Sequence, residues 1–171
     1  MAKTKTSNVS TVYPPEFLTA VQQVLSDEGD LEERAGDRGG LTRYGISARA
    51  YPSVDVYTLT RDGAIAIYFR DWWQRFGFER LPAPLAAKCF DLAVNMGTTH
   101  AIVCLQRALR ACGKRILQDG NLGAQTVAAA SALEPTPLLA ALRSEAAGYY
   151  RMLAQSQGRQ FLDGWLNRAY R

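Results

Sequence analysis

The sequence predicts a mainly α-helical protein with a small, irregular loop or β-hairpin lobe near its N-terminal end. Apolar residues recur at helical spacing through most of the chain, and one polar, Gly-rich stretch, residues 29–47, interrupts that pattern. No run approaches the roughly 20 apolar residues that span a bilayer. The chain has 171 residues, 47% of them hydrophobic and 21% charged, which suits a soluble protein of one compact domain or two joined lobes.

The first helix is predicted from apolar residues three and four positions apart, namely Phe17, Leu18, Val21, Val24 and Leu25. Pro14 and Pro15 suit its first turn, and Gly29 can end it. Residues 1–13 are rich in Ser, Thr and Lys and are expected to form a flexible tail. Residues 29–47 are expected to form a long loop or a short, irregular hairpin. Loops of this length inside compact domains are often functional.

The later helices follow from the same periodicity. A second helix is expected from about Arg61 to Phe76, with a largely aromatic apolar face. Beyond Pro84 a third helix ends at Gly97, after which Thr98 or Thr99 can cap a fourth. The spacing predicts three more helical segments, at about residues 124–133, 137–157 and 161–166.

Composition narrows the function classes. The cysteines number three, and an odd number without a secretory signal argues against a disulfide framework. His100 is the only histidine and there is no Cys-x-x-Cys, so no metal site and no cofactor are expected. The net charge of +4 favours an anionic partner, such as nucleic acid, lipid phosphate or the acidic bacterial wall. DNA is the least favoured of these, because no basic residues cluster on one recognition helix.

Glu28 is the main candidate for chemistry. It follows Val21, Val24 and Leu25 by seven, four and three positions, which puts it on the apolar stripe of the first helix. A carboxyl group at the end of such a stripe is partly desolvated, and its neutral form is favoured. A general acid needs this property to protonate a glycosidic oxygen. The alternative is a surface glutamate that merely ends the helix.

Asp37 and Thr42 are the candidates to assist Glu28. Asp37, nine residues after Glu28, is either a turn-forming residue before Gly39 or a second carboxylate that holds a water molecule. Thr42 is either an ordinary strand residue or a hydroxyl that hydrogen-bonds that water. Taken alone, each of the two residues fits the structural explanation better.

The joint pattern resembles a known family. Residues 27–47, DEGDLEERAGDRGGLTRYGIS, resemble the catalytic segment of glycoside hydrolase family 108. Members of that family are N-acetylmuramidases, many from bacteriophages, with a lysozyme-like fold. The resemblance implies catalytic roles for Glu28, Asp37 and Thr42, and it includes Tyr44. Asp30 and Arg43 stand where the family pattern has Gly and Asn, and neither change removes a catalytic group.

The resemblance extends over roughly residues 14–168. Its later motifs are YFRDWW from Tyr68, FDLAVNMG from Phe90, and LQRAL from Leu105 followed by Asp119-Gly120. The last of these is similar to a region described in the family as a predicted peptidoglycan-binding domain. We therefore expect a tail at 1–13, a muramidase region at 14–98, and a helical peptidoglycan-binding-like region at 99–171, packed as one globular unit with the muramidase region.

Four residues are candidates for substrate binding: Tyr44, Trp72, Trp73 and Asn95. Adjacent residues on a helix point about 100° apart. One of the two tryptophans is therefore expected in the core, with the other lining a cleft. Asn95 lies four residues after Asp91, and the two are expected to form a supporting polar network. A substrate contact by Asn95 is the alternative.

The expected activity is hydrolysis of the β-1,4 bond between N-acetylmuramic acid and N-acetylglucosamine in peptidoglycan. Glu28 would donate the proton, while Asp37 and Thr42 would position the attacking water. The alternatives are a lytic transglycosylase and a non-catalytic wall-binding module. The expected setting is a monomeric endolysin, made in the host cytoplasm and released by a holin, without nucleic-acid binding or membrane insertion. A secreted bacterial effector is the alternative setting.

Overall fold

A computed structural model of the chain describes residues 13–28, 31–32 and 41–171, with only the backbone described at 27, 28, 31 and 32. Asp37 and the expected tail up to residue 12 therefore lie outside the described residues. The chain divides into two compact units, Met1–Arg75 and Phe76–Arg171. We call them the N unit and the C unit and describe each by itself.

The N unit begins with helix α1, Pro15–Glu28, as the periodicity predicts. Its apolar stripe is buried, with Phe17, Val21 and Val24 fully enclosed. Three two-residue strands follow: β1 Leu31–Glu32, β2 Thr42–Arg43 and β3 Ile46–Ser47. They form an antiparallel sheet in the order β1-β2-β3. The expected small β lobe after the first helix is confirmed.

The second helix has two parts. Helix α2 spans Arg61–Tyr68. Its N-cap residue is Thr60, whose side chain accepts a hydrogen bond from the Gly63 amide at 3.1 Å. A π-helical stretch, Phe69–Gln74, continues it. The sequence predicts one uninterrupted helix here, because over so few residues its periodicity does not separate the wider π turn from the α turn.

The C unit is helical. It contains α3 Ala83–Met96, α4 Thr98–Ala111, α5 Ala124–Ser131, α6 Pro135–Gln157 and α7 Leu162–Tyr170, with 3₁₀ turns at Phe78–Arg80 and Arg159–Phe161. Helix α4 packs against α3 and α6, and α6 also packs against α7. The prediction that a threonine side chain caps α4 is wrong: Gly97 occupies the N-cap position, with no side-chain hydrogen bond.

A buried cluster of charged residues links α3, α6 and α7 in the C unit. The Lys88 amine lies 3.4 Å from Asp91 Oδ2 and donates to the Arg168 carbonyl. Asp91 Oδ1 faces the guanidinium groups of Arg168 at 3.6 Å and Arg171 at 3.8 Å, and Arg143 donates to the Arg171 carbonyl. Burial lowers the pKa of the Lys88 amine, and the Asp91 charge opposes that shift. Asp91 thus lies among three of these cations, Lys88, Arg168 and Arg171.

Within the described ranges, no helix is long and apolar enough to cross a bilayer.

Candidate functional site

The backbone of the N unit joins the end of α1 to the hairpin that carries Thr42. Glu28 is the last residue of α1, and only two residues separate it from β1. In the sheet, Leu31 pairs with Arg43 and Glu32 pairs with Thr42. Three residues of fully extended chain span at most about 11 Å, so the Glu28 Cα lies no farther than that from the Leu31 Cα. The Glu28 side chain itself is outside the described residues.

Thr42 lies in β2, one residue before a tight turn. The central residues of that turn, Tyr44 and Gly45, have φ values of 52° and 75°. Two positive φ values are the mark of a type I′ turn, the connection that suits a two-residue hairpin. Glycine takes such a φ without strain, whereas tyrosine does so at a cost. The hairpin therefore holds a strained residue next to Thr42.

Two neighbouring side chains hold this turn. The Tyr68 hydroxyl, on the last residue of α2, donates to the Tyr44 carbonyl at 3.1 Å. The Arg43 guanidinium lies 5.4 Å from the centre of the Tyr44 ring and donates to the Tyr57 carbonyl at 2.6 Å. Because Tyr68 is almost fully buried, the hairpin is anchored to the core of the N unit.

Tyr51, which the sequence analysis did not identify, is hydrogen-bonded to residues of the π-helical stretch. The Tyr51 hydroxyl hydrogen-bonds the side chains of Trp72 and Asp71, and burial is the main cause that raises its pKa. Asp71 also forms a two-point ion pair with Arg70, at 2.6 and 2.7 Å. These hydrogen bonds lower the pKa of Asp71. Tyr51 stands in a turn-rich segment without periodicity, so no sequence signal marks it.

The two adjacent tryptophans have different environments. Trp73 is completely buried and packs against Phe17 with ring centres 5.4 Å apart. The prediction that Trp73 binds substrate is therefore wrong, because neither face of its indole is accessible. Trp72 is only partly buried and lies 6.5 Å from the Tyr68 ring. As expected, one tryptophan of the pair lies in the core and the other is more accessible.

Asn95 lies in the C unit, on α3. Its side-chain oxygen accepts a hydrogen bond from the Tyr150 hydroxyl at 2.7 Å, and burial raises the pKa of Tyr150. Asn95 itself is exposed, while Asp91 is buried in the ion cluster. The expected shared network of the two residues thus divides into two separate sets of contacts.

The described residues contain no group of His, Cys, Asp and Glu side chains that could hold a metal ion.

Two family models match successive parts of the chain. Residues 21–97 match the family model described as Glycosyl hydrolase 108, and residues 100–170 match the one described as Predicted Peptidoglycan domain. A solved structure, "Structure of Brucella abortus SagA", is 28% identical with a TM-score of 0.73 and covers 90% of this chain and 89% of that one. No curated protein matches the chain.

The Glycosyl hydrolase 108 match includes α1 from Val21 onward, the hairpin and the π-helical stretch, which carry the candidate site. The mainly α, lysozyme-like fold expected from the sequence agrees with the SagA likeness. The matches support a glycoside hydrolase that acts on peptidoglycan, with a glycosyl hydrolase 108 region at residues 21–97 and a predicted peptidoglycan-binding region at residues 100–170.

Proposed function

We propose that this enzyme hydrolyses the β-1,4 bond between N-acetylmuramic acid and N-acetylglucosamine, with Glu28 as the proton donor. The observation that supports this most directly is the backbone link described above. The buried stripe of α1 runs to Leu25, three residues before Glu28, and the following strand pairs with the strand of Thr42. A carboxyl group and a hydroxyl on elements this close are suited to act on the same bond.

In this proposal Asp37 and Thr42 position the attacking water. A water molecule between an acid and a base requires carboxyl groups about 6.5–9.5 Å apart, which gives inversion at the anomeric carbon. The anomer of the first product, followed by NMR, tests this step. A product that keeps its configuration would contradict the proposed role of the water.

Tyr44 and Trp72 are the proposed sugar contacts of the N unit. Both are aromatic and only partly buried, and each lies next to Tyr68. Aromatic rings of this kind can stack on the apolar face of a sugar. For Asn95 we propose no more than an exposed polar contact, because its oxygen is already engaged by Tyr150.

The decisive experiment compares Glu28→Gln with Glu16→Gln, a carboxyl-to-amide change on the first turn of the same helix. We expect Glu28→Gln to release sugar fragments from purified peptidoglycan about a hundred- to ten-thousandfold more slowly. Glu16→Gln should behave as wild type. Undiminished activity in Glu28→Gln would reject the assignment of the proton donor.

Mass spectrometry of the wild-type products then identifies the reaction. Reducing N-acetylmuramic acid ends are expected from hydrolysis. Products with 1,6-anhydro ends would show a lytic transglycosylase, and reducing N-acetylglucosamine ends would show cleavage of the other glycosidic bond. Asp37→Asn and Thr42→Val should slow the reaction with the product ends unchanged.

We also propose that the protein is a monomeric endolysin, made in the cytoplasm and released to the wall by a holin-type pore. A peptidoglycan hydrolase in the cytoplasm is separated from its substrate by the membrane. Expression in bacteria should therefore cause lysis only when a pore-forming protein is co-expressed. Lysis at the same rate without the pore would contradict this route.

A further inference from the structure

The C unit has an open groove at the C-terminal end of α4. Its volume is about 540 Å³, and it is lined by Arg110, Lys114, Arg115, Ile116, Leu117 and Gln125 together with Gly113. A neighbouring pocket of about 250 Å³ shares Ile116, Leu117 and Gln125. The two form one continuous depression, which we call the α4 groove.

The basic end of the α4 groove contains three cations and no acidic residue. Arg110 and Arg115 are exposed and Lys114 is half-buried. The side chains of all three make no hydrogen bond or ion pair with the described part of the chain. In the ion cluster of α3 and α7, by contrast, Asp91 accompanies the cations. The basic end of the α4 groove thus presents positive charge without an ion-pair partner among the described residues, while Asp119 lines the other end.

Backbone hydrogen bonds fix the turn that brings these cations together. The Gly113 amide donates to the Arg110 carbonyl and the Lys114 amide to the Leu109 carbonyl, both at 2.9 Å. Gly113 has a φ of 85°. These bonds form the Schellman arrangement that ends many helices, and they satisfy two of the last carbonyls of α4. The turn therefore offsets part of the negative charge at the end of the helix. The three cations remain the main charges at the basic end of the groove.

The other end of the α4 groove is polar and tightly organised. The buried Gln106 side chain donates to Asp119 at 2.7 Å and to the Asn121 carbonyl at 3.1 Å, and accepts from the Gly120 amide at 3.0 Å. Gly120 has a φ of 72°, and a Cβ there would lie 2.6 Å from the Thr99 methyl group. This wall is therefore a fixed surface that does not need a ligand to form.

We propose that the α4 groove binds the free carboxylates of the peptide stems of peptidoglycan. The proposal rests on the peptidoglycan activity of the family and assigns a location to the binding role of residues 100–170. In intact peptidoglycan the lactyl carboxyl group of N-acetylmuramic acid is amide-bonded to the stem, so the free carboxylates lie on the peptide stems, which also carry short aliphatic side chains. Guanidinium and ammonium groups fit the carboxylates, and Leu117, which is 74% exposed, fits the aliphatic side chains.

The test measures binding of the full-length protein to three preparations on ice: intact sacculi, sacculi whose free carboxyl groups have been converted to amides, and anionic lipid vesicles. Arg110→Gln/Arg115→Gln removes two groove charges. Arg151→Gln/Arg159→Gln removes two exposed charges from α6 and the 3₁₀ turn after it, outside the groove. Both doubles should melt at the wild-type temperature, because all four residues are exposed.

We expect the groove double to bind intact sacculi about tenfold more weakly, as two exposed charge contacts imply, and amidated sacculi with wild-type affinity. The control double should match wild type on both. Wild-type binding of intact sacculi by the groove double would overturn the proposal. So would an equal loss on amidated sacculi, or a wild-type preference for vesicles over sacculi.

A second measurement needs no variant. Soluble stem peptides should displace the wild-type protein from sacculi, and the same peptides with amidated carboxyl groups should not. Equal displacement by both forms would also overturn the proposal. Cleavage of intact sacculi is scored separately: if the expected product ends fail to appear while carboxylate-dependent binding holds, the proposed bond specificity is wrong and the groove assignment stands.

Discussion

Tyr44 keeps a backbone conformation that tyrosine rarely adopts, at the turn that follows Thr42. Its φ of 52° is held by the Tyr68 hydrogen bond to its carbonyl and by the pairing of β2 with β3. Strain of this kind persists only where the surrounding structure over-determines it, and it is concentrated at functional sites. We therefore expect the ring of Tyr44 to have a functional role that offsets the cost of this strain.

Replacing Tyr44 tests that argument with two variants that both lose the ring. Tyr44→Asn should leave the free energy of unfolding nearly unchanged, since asparagine tolerates positive φ. Tyr44→Val should lower it by about 1–2 kcal/mol, because a β-branched residue does not tolerate it. Urea unfolding measures both. Peptidoglycan hydrolysis should be slower in both variants, and equal stabilities would contradict the strain argument.

Asp71 predicts an acid sensitivity of the N unit. Its pKa is lowered in the folded protein, first by the hydrogen bond from Arg70 and also by the one from Tyr51. A carboxyl group with a lowered folded pKa adds stability at pH values above its unfolded pKa of about 3.8. That stability is lost as pH falls through the lower, folded value. The sign is therefore destabilisation by acid.

The melting temperature between about pH 6 and pH 2.5 measures this contribution. Wild type should lose more of its melting temperature below about pH 4 than Asp71→Asn, which lacks the titrating group. Asp62→Asn, an exposed change on the first turn of α2, should follow the wild-type curve. If Asp71→Asn follows it as well, the ion pair adds nothing to stability, as is common for exposed pairs.

At the scale of elements, periodicity predicts the helices well and their internal detail poorly. Helix α1 matches its predicted bounds because an apolar stripe and its flanking residues mark both ends. The π-helical stretch Phe69–Gln74 was not predicted, because a local widening of the turn leaves no periodic trace. Sequence spacing likewise shows that the side chains of Trp72 and Trp73 point in different directions. It does not show which of the two is buried.

The ion cluster of α3, α6 and α7 could not be predicted either. Lys88 lies on an apolar helix, and its partner Arg168 is far away in sequence. Only packing of α3 within the C unit brings the two together. The expectation that Asp91 belongs to a polar network was correct in kind, although its partners are cations rather than Asn95. Long-range pairing of this sort is set by tertiary structure, which a single sequence does not display.

Asp91→Asn should be the most destabilising single change in this cluster. It removes the carboxylate that the buried Lys88 and Arg168 both face, at a cost of about 3–5 kcal/mol. Lys88→Met/Asp91→Leu should cost less, since it removes one buried cation together with the carboxylate. Urea unfolding measures both, with the exposed Asp163→Asn as control. A larger loss in the double than in Asp91→Asn would contradict the charge argument.

For the whole molecule, the family boundary and the structural boundary lie at different places. The two family models divide the chain between residues 97 and 100. By compactness the chain divides between Arg75 and Phe76. Helix α3 belongs to the hydrolase region by sequence, but it packs against α4 and α6 of the C unit. Its residues Leu85, Phe90 and Leu92 are fully buried.

This difference predicts which fragment of the C-terminal half folds alone. A fragment of residues 76–171 keeps α3 against α4 and α6 and should unfold in one cooperative thermal transition. A fragment of residues 99–171 exposes the apolar faces that α3 covers, and it also loses Asp91, leaving Arg168 without its carboxylate. It should melt without cooperativity and bind a hydrophobic dye. Thermal unfolding followed by circular dichroism distinguishes the two divisions. If the 99–171 fragment unfolds cooperatively at the melting temperature of the 76–171 fragment, the family boundary is also the folding boundary.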